Sequence, residues 1–319
     1  VPGPGRLVGG LVAVHAHPDD ETLATGALLA TFAAAGRPVT VVTCTRGERG
    51  EVIGAATDPG LARLEGDGAA LAEHRLGELA GALAALGVGD HVVLDRVAGD
   101  GPWVDSGMVW APGEGVTRAE IGADVPEGAF ALVDVEVAAE RLARVLRDRR
   151  PEVVAGYEPG GGYGHPDHVQ AHRVMTRAVA LAADEGPGHD RAALPGWAVP
   201  CVLWAALDAD ALVAARLSAP VRAGLAAPEE GLPSAAVPGV AVDVRVDVVP
   251  VLARVLAALR AHATQVRAVE AVPAPGGGPL AWYALSNDVL QPVLARESYR
   301  TAPGSRRDAV RWPDGVRVR

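Results

Sequence analysis

Short valine-rich apolar runs alternate, over the first two thirds of the chain, with longer stretches that carry an apolar residue every three or four positions. The runs are Leu11–Val14, Val39–Thr43, His91–Leu94, Glu152–Tyr157 and Cys201–Ala205, too short for helices and suited to buried strands. Between them, Thr22–Ala35, Gly68–Leu86, Ala129–Arg149 and His168–Ala183 read as helices, with Gly36 and Gly87 in helix-ending positions. Strand and helix in repeated succession predict an α/β, Rossmann-like fold, a mostly parallel sheet with helices on both faces. The rhythm breaks near residue 205. "LSAPVRAGLAAPEEGLPSAAVPGV" reads as an irregular excursion, and Val240–Val248 alternates at period two like a half-exposed strand. A helix is expected from about Val249 to Val266, "APGGGP" is a turn, and the tail carries little pattern. The expected organisation is a Rossmann-like domain over residues 1–205 and a smaller C-terminal subdomain over 206–319, packed on the first.

Two of these strands hand over to something other than ordinary turn chemistry. After the first comes "HAHPDDE" (His15–Glu21), and after the strand ending at Tyr157 comes "GHPDH" (Gly164–His168). In a doubly wound sheet such handovers share the carboxyl edge, so segments far apart in sequence can meet there. Divalent transition metals take imidazole nitrogen and carboxylate oxygen. His17, Asp20 and His168 form a two-histidine, one-carboxylate set with positions open for water and substrate. It suits one zinc ion per chain, and ferrous iron as well. Asp19, beside a ligand but not needed as one, stands where a general base for water belongs. His165 with Asp167 reads as an imidazole and its orienting carboxylate, able to stabilise an oxyanion and protonate a leaving amine. Tyr163 offers a phenolic donor to the same oxygen. Adjacent aspartates at a helix start are often caps, but capping needs neither histidines nor a second His-Pro-Asp segment. "GGGYG" (Gly160–Gly164) fails the dinucleotide pattern because its sixth position is His165. His172, one helical turn beyond His168 and on its face, is expected to support the site from behind or to lie at the surface; His74, His91 and His189 have no partners in sequence and are expected to be structural, and "HATQ" (His262–Gln265) reads as a polar helix end.

Composition narrows the classes. A net charge of −10 leaves no basic footprint for nucleic acid or an anionic membrane, and every one of the 29 cationic residues is arginine. Cys44 and Cys201 lie in or beside apolar runs and read as inert buried thiols. No apolar stretch approaches the ~18 residues of a membrane span. "VPGPGRLVGGLVAV" lacks the features of a signal peptide, so a cytoplasmic location is expected.

With "AHPDDE" and "GHPDH" in place, the chain resembles the LmbE-like (PIG-L type) metal-dependent N-acetylglucosaminyl deacetylases. "VVTCTRGERGEVIG", "HRLGELAGALAALGV", "DSGM", "GGYGHPDHVQAH", "AHATQV" and "ALSNDVL" extend the likeness over nearly the whole chain. They resemble the branch that acts on N-acetylglucosaminyl-inositol in mycothiol biosynthesis. The resemblance implies His17, Asp20 and His168 as metal ligands and Asp19 as base. It further implies His165 as the oxyanion-stabilising acid tuned by Asp167, and Tyr163 as a mobile carbonyl-polarising group. Arg75, Asp105 and Glu51 fall where the sugar and inositol hydroxyls are held, and His15 lies beside the site. The implied partner is a small N-acetylated sugar. Two alternatives stay open. One is a mycothiol S-conjugate amidase, whose branch tends to carry a lysine near "TLATG" where this chain has no lysine at all. The other is a deacetylase of another N-acetyl sugar, such as an antibiotic intermediate.

Overall fold

In the computed structural model, residues 8–97, 101–111, 118–120, 122–184, 194–228, 231–273 and 278–319 are described. The apolar runs form β1 (Leu11–His15), β2 (Val39–Thr43), β3 (Asp90–Val93), β4 (Val153–Tyr157) and β5 (Cys201–Asp208). These five pair in parallel in the order β3-β2-β1-β4-β5, with Leu11 opposite Val39 on one side and Val153 on the other. The order reverses between β1 and β4, and ligands of open α/β sheets bind in the crevice beyond the strand ends at such a point. Both His-Pro-Asp segments follow these two strands.

Four helices cover the parallel strands: α1 (Asp20–Ala34), α2 (Gly68–Leu86), α3 (Val135–Arg149) and α4 (Pro166–Ala183). Alternation along β1 divides the core. Leu11 and Ala13 pack with Leu28 and Phe32 of α1 and Leu79 and Leu86 of α2, whereas Val12 and Val14 pack with Leu142 and Leu146 of α3 and Met175 of α4. That is the two-faced burial expected of a parallel sheet. Two helices begin earlier than their apolar pattern suggests, so Asp20, Asp167 and His168 stand in first helical turns. The third begins later than Ala129 because the side chain of Asp134 caps it by accepting from the Glu136 amide, after a single 3-10 turn at Phe130–Leu132.

The chain after residue 205 continues the same sheet. Its main elements are α5 (Ala209–Arg216), β6 (Val244–Asp247), α6 (Leu252–Ala261), β7 (Arg267–Ala271), β8 (Ala281–Ala284), β9 (Leu290–Val293), β10 (Arg296–Thr301) and β11 (Val316–Val318). β10 pairs antiparallel with β5, β6 with β10, and β11 with β6, while β7-β8-β9 form a separate antiparallel sheet. Residue 205, the boundary expected from sequence, lies inside β5. The strand expected over Val240–Val248 shortens because Gly239–Ala241 make a 3-10 turn, and the helix expected to reach Val266 ends at Ala261, where His262 turns inward. Most of "APGGGP", and His189, lie outside the described residues. Among the described residues no helix is long and apolar enough to cross a membrane.

Candidate metal centre

β1 ends by delivering His15 into the core, and the turn through Asp19 leads straight into α1. Two bonds shape the turn. The Ala16 amide donates to the Tyr157 hydroxyl at 2.9 Å, and the His17 amide donates to Asp20 Oδ2 at 2.9 Å. Asp19 sits at φ 108°, ψ −36°, a costly conformation for a residue with a Cβ. Its side chain makes no cap bond to the helix, so the capping explanation fails at this position. Its amide instead donates to Glu21 Oε2 at 2.9 Å, and Glu21 Oε1 pairs with His262 Nε2 at 2.8 Å, both side chains fully buried. Arg75 closes the turn from α2. It donates to the carbonyls of Gly47 at 2.9 Å and Pro18 at 2.5 Å, and its Nη2 lies 3.3 Å from Asp19 Oδ2. Gly47 is required here, since a Cβ would lie 2.0 Å from Arg75 Nη1. Burial pushes the Asp19 carboxyl up to about 6 against the opposing pull of Arg75.

The second segment is built around Gly161, at φ 67°, where a Cβ would meet the Val169 amide at 2.8 Å. That close approach puts the Gly161 carbonyl 3.1 Å from His168 Nδ1. The ring must donate there, which leaves Nε2 as a bare lone pair. Tyr157 stacks on the same ring at 4.2 Å. His168 Nε2 is buried without a hydrogen-bond partner, 3.3 Å from Asp20 Oδ1. The other Asp20 oxygen lies 3.2 Å from His17 Nδ1. Ligands about 2.0–2.1 Å from a tetrahedral zinc stand about 3.3 Å apart, so each of these two contacts has the spacing of a pair of ligands on one ion. Among the described residues, the donor atoms of His17, His165 and His168 lie within 4.8 Å of one another, as do those of His17, Asp105 and Asp167. Asp20 stands 3.2 Å from His17 Nδ1 and 3.3 Å from His168 Nε2, and His165 Nδ1 is already engaged, accepting from the Asp167 amide at 3.1 Å.

That last bond corrects one expectation. The Asp167 carboxylate does not hydrogen-bond His165; it lies 3.1 Å from His17 Nε2 and accepts from Ser106. Burial, followed by the neighbouring imidazoles His168 and His17, holds the His165 pKa down to about 2, so the ring is neutral. Tyr163 stands edge-on to His168, ring centres 5.2 Å apart, and burial followed by the charge of Asp20 pushes its hydroxyl pKa well up.

The residues expected at the sugar separate. Arg75 is buried under the first motif. Asp105 lies 3.6 Å from His17 Nε2 and accepts from the amides of Gly107 and Arg49. Glu51 is exposed and meets the site's surroundings through its carbonyl, which accepts from Gln265 Nε2. His15 is buried and bonds Thr25 through Nε2, and burial takes its pKa down to about 4. Tyr157, Ser106, Glu21 and His262 support the cluster without having been singled out from sequence for it.

A Rossmann-ordered sheet here brings two histidines and an aspartate together at its switch point, with a second carboxylate alongside, an arrangement that suits metal-assisted hydrolysis. Residues 12–179 match the PIG-L family, GlcNAc-PI de-N-acetylase, and the chain belongs to that family. A 1D-myo-inositol 2-acetamido-2-deoxy-α-D-glucopyranoside deacetylase of Kineococcus radiotolerans is 47% identical over 91% of this chain and 76% of that protein. The enzyme of the same name from Nocardia farcinica is 44% identical over 96% and 94%. Among solved structures, N,N'-diacetylchitobiose deacetylase from Pyrococcus horikoshii aligns with a TM-score of 0.54 at 18% identity, covering 92% of this chain and 84% of that one. A 4-carboxy-2-hydroxymuconate hydratase from Pseudomonas putida aligns at 0.51 and 17% identity over 92% and 96%. The two carry different names on one architecture, so the likeness shows the fold, and the reaction must be argued from the site.

Proposed function

We propose that this chain hydrolyses the acetamide of N-acetylglucosaminyl-inositol, the substrate in its relatives' name, releasing acetate and the free amine, with zinc held by His17, Asp20 and His168. The observation that carries this reading is the buried His168 Nε2, unpartnered and facing Asp20 opposite His17, in a chain of a de-N-acetylase family. A zinc ion bound there supplies Lewis-acid polarisation of the amide oxygen and lowers the pKa of water toward about 7, and ferrous iron suits the same donors.

The residues divide the remaining work. Asp19, with a carboxyl titrating near 6, accepts a proton from the attacking water and passes it to the departing nitrogen. His165 is neutral and its Nδ1 is occupied, so its Nε2 carries the proton and donates to the developing oxyanion. Tyr163 stays protonated and adds a second donor. In this reading Arg75 serves Asp19, holding it at the turn, and Asp105 is the nearer of the expected sugar contacts.

The test is acetate release from N-acetylglucosaminyl-inositol by zinc-loaded and iron-loaded protein, beside amide cleavage of a mycothiol S-conjugate. Strong preference for the pseudodisaccharide is expected. Cleavage of the conjugate alone, or turnover only of other N-acetylated sugars such as antibiotic precursors, would refute the substrate assignment while keeping the hydrolase class.

A further inference from the structure

Asp167 is fully buried, and its carboxylate meets three groups, none of them on His165. Oδ1 accepts the Ser106 hydroxyl at 2.5 Å, and Oδ2 accepts the Ser106 amide at 2.9 Å. The third partner is His17 Nε2 at 3.1 Å. The Ser106 hydroxyl has no freedom to turn elsewhere. Its oxygen accepts the Ala131 amide at 2.9 Å, so its one proton is committed to Asp167. The loop that carries Ser106 is fixed in turn, with Trp103 N donating to Asp95, Asp105 N donating to Glu48, and Arg46 clamping Asp95 through two bonds.

We propose that Ser106 and Asp167 form a relay that fixes the tautomer and aim of His17, making Ser106 a positioning residue of the metal site and giving Asp167 its role through His17 instead of His165. The inference rests on His17 being a metal ligand. A buried carboxylate facing His17 Nε2 requires an N–H there, so the lone pair is left on Nδ1, the nitrogen beside Asp20. Carboxylate–histidine–metal triads of this kind hold the ring in place and raise its basicity, and losing the outer partner typically costs about 10–100-fold in metal affinity.

The experiment measures zinc dissociation constants by chelator competition for wild type, Ser106→Ala, Ser106→Thr, Asp167→Asn and His168→Ala, with the visible spectrum of the cobalt-loaded proteins as a second readout. Ser106→Ala and Asp167→Asn are expected to bind zinc about 10–100-fold more weakly and to shift the cobalt bands. Ser106→Thr, which keeps the hydroxyl, is expected to restore both. A buried asparagine at 167 carries a risk of misfolding, and the serine pair tests the relay without it. Wild-type affinity and spectrum in Ser106→Ala and Asp167→Asn, with activity lost, would overturn the relay and return Asp167 to His165. A wild type that binds no zinc, or His168→Ala binding as tightly as wild type, would instead overturn the metal reading, and the relay with it.

Discussion

Replacing His262 with alanine removes the ring that meets Glu21 Oε1 at 2.8 Å. In the wild type, burial raises the Glu21 carboxyl, and the charge and hydrogen bond of His262 outweigh it, leaving the pKa below its usual value. Both side chains are inaccessible to solvent, and among the described residues the Glu21 oxygens meet His262, the Thr22 hydroxyl and the Asp19 amide. Breaking a buried pair by removing one partner typically costs about 3–5 kcal/mol, because the other charge stays buried. Removing both charges costs less, since nothing is then left uncompensated. The expected result is a loss of about 3–5 kcal/mol for His262→Ala and a smaller loss for Glu21→Gln. The double variant should fall short of the sum by at least about 1.5 kcal/mol, within the range for residues in contact. The assay is urea unfolding of the four proteins, with midpoints compared at a common slope. A function-side effect should accompany it. Glu21 holds the Asp19 amide and so the φ of 108°, a conformation that costs about 1–3 kcal/mol and persists only when its surroundings enforce it. His262→Ala should therefore lower kcat more than it changes KM. A loss under about 1 kcal/mol, or strict additivity in the cycle, would refute the buttress.

Three further outcomes are expected. Asp19→Asn should lower kcat by about 10²–10⁴-fold while zinc stoichiometry, read by elemental analysis, stays at the wild-type value; lost zinc would mean that Asp19 is a ligand and not the base. Glu297, whose oxygens accept the Ala27 and Leu28 amides of α1 at 2.5 and 2.9 Å, has its pKa raised by burial from 4.5 to about 7. The folded state thus holds a proton that the unfolded chain releases between those values, so stability falls as pH rises from about 4.5 to 7, by at most about 3 kcal/mol from this group. Glu297→Gln should flatten that slope in unfolding measured across the window, and an unchanged slope would refute the assignment. A chain cut after residue 205 loses Val244, Val246, Leu256, Leu259 and Tyr299 from the core shared with α1, as well as His262, and should fail to fold; native-like circular dichroism with zinc binding would refute this.

How much could be read from sequence depends on how local each signal is. β1 and β4 announce themselves because every residue is buried on both faces, which leaves unbroken apolar runs, and the His-Pro-Asp segments stand out where those runs stop. β10, "RESYRT", offers no such run: only Ser298 and Tyr299 are buried, and its Glu297 faces a helix 270 positions away. The pairing of Asp167 with His165 is the natural expectation because they are two residues apart. The structure separates them by backbone geometry. Pro166 opens α4, the His165 ring caps the Asp167 amide, and the carboxylate at that first turn is carried across to Ser106, 61 positions upstream.

Locality also explains why "HATQ" reads as a polar helix end. His262 does close a helix, and its polarity would need no other explanation if α6 ended in solvent. It ends against α1 and α2 instead, where Thr264 donates to Glu78 through both its amide and its hydroxyl, each at 2.7 Å. Gln265 reaches the Glu51 carbonyl from the same segment. A polar cluster of that kind has no periodicity of its own, because its partners come from four different segments of chain. Yet it sets where Asp19, the proposed base, stands: Glu21 holds Asp19 only as firmly as His262 holds Glu21. The matched family segment ends at residue 179, so the turn that holds Asp19 depends on a part of the chain that the match does not include.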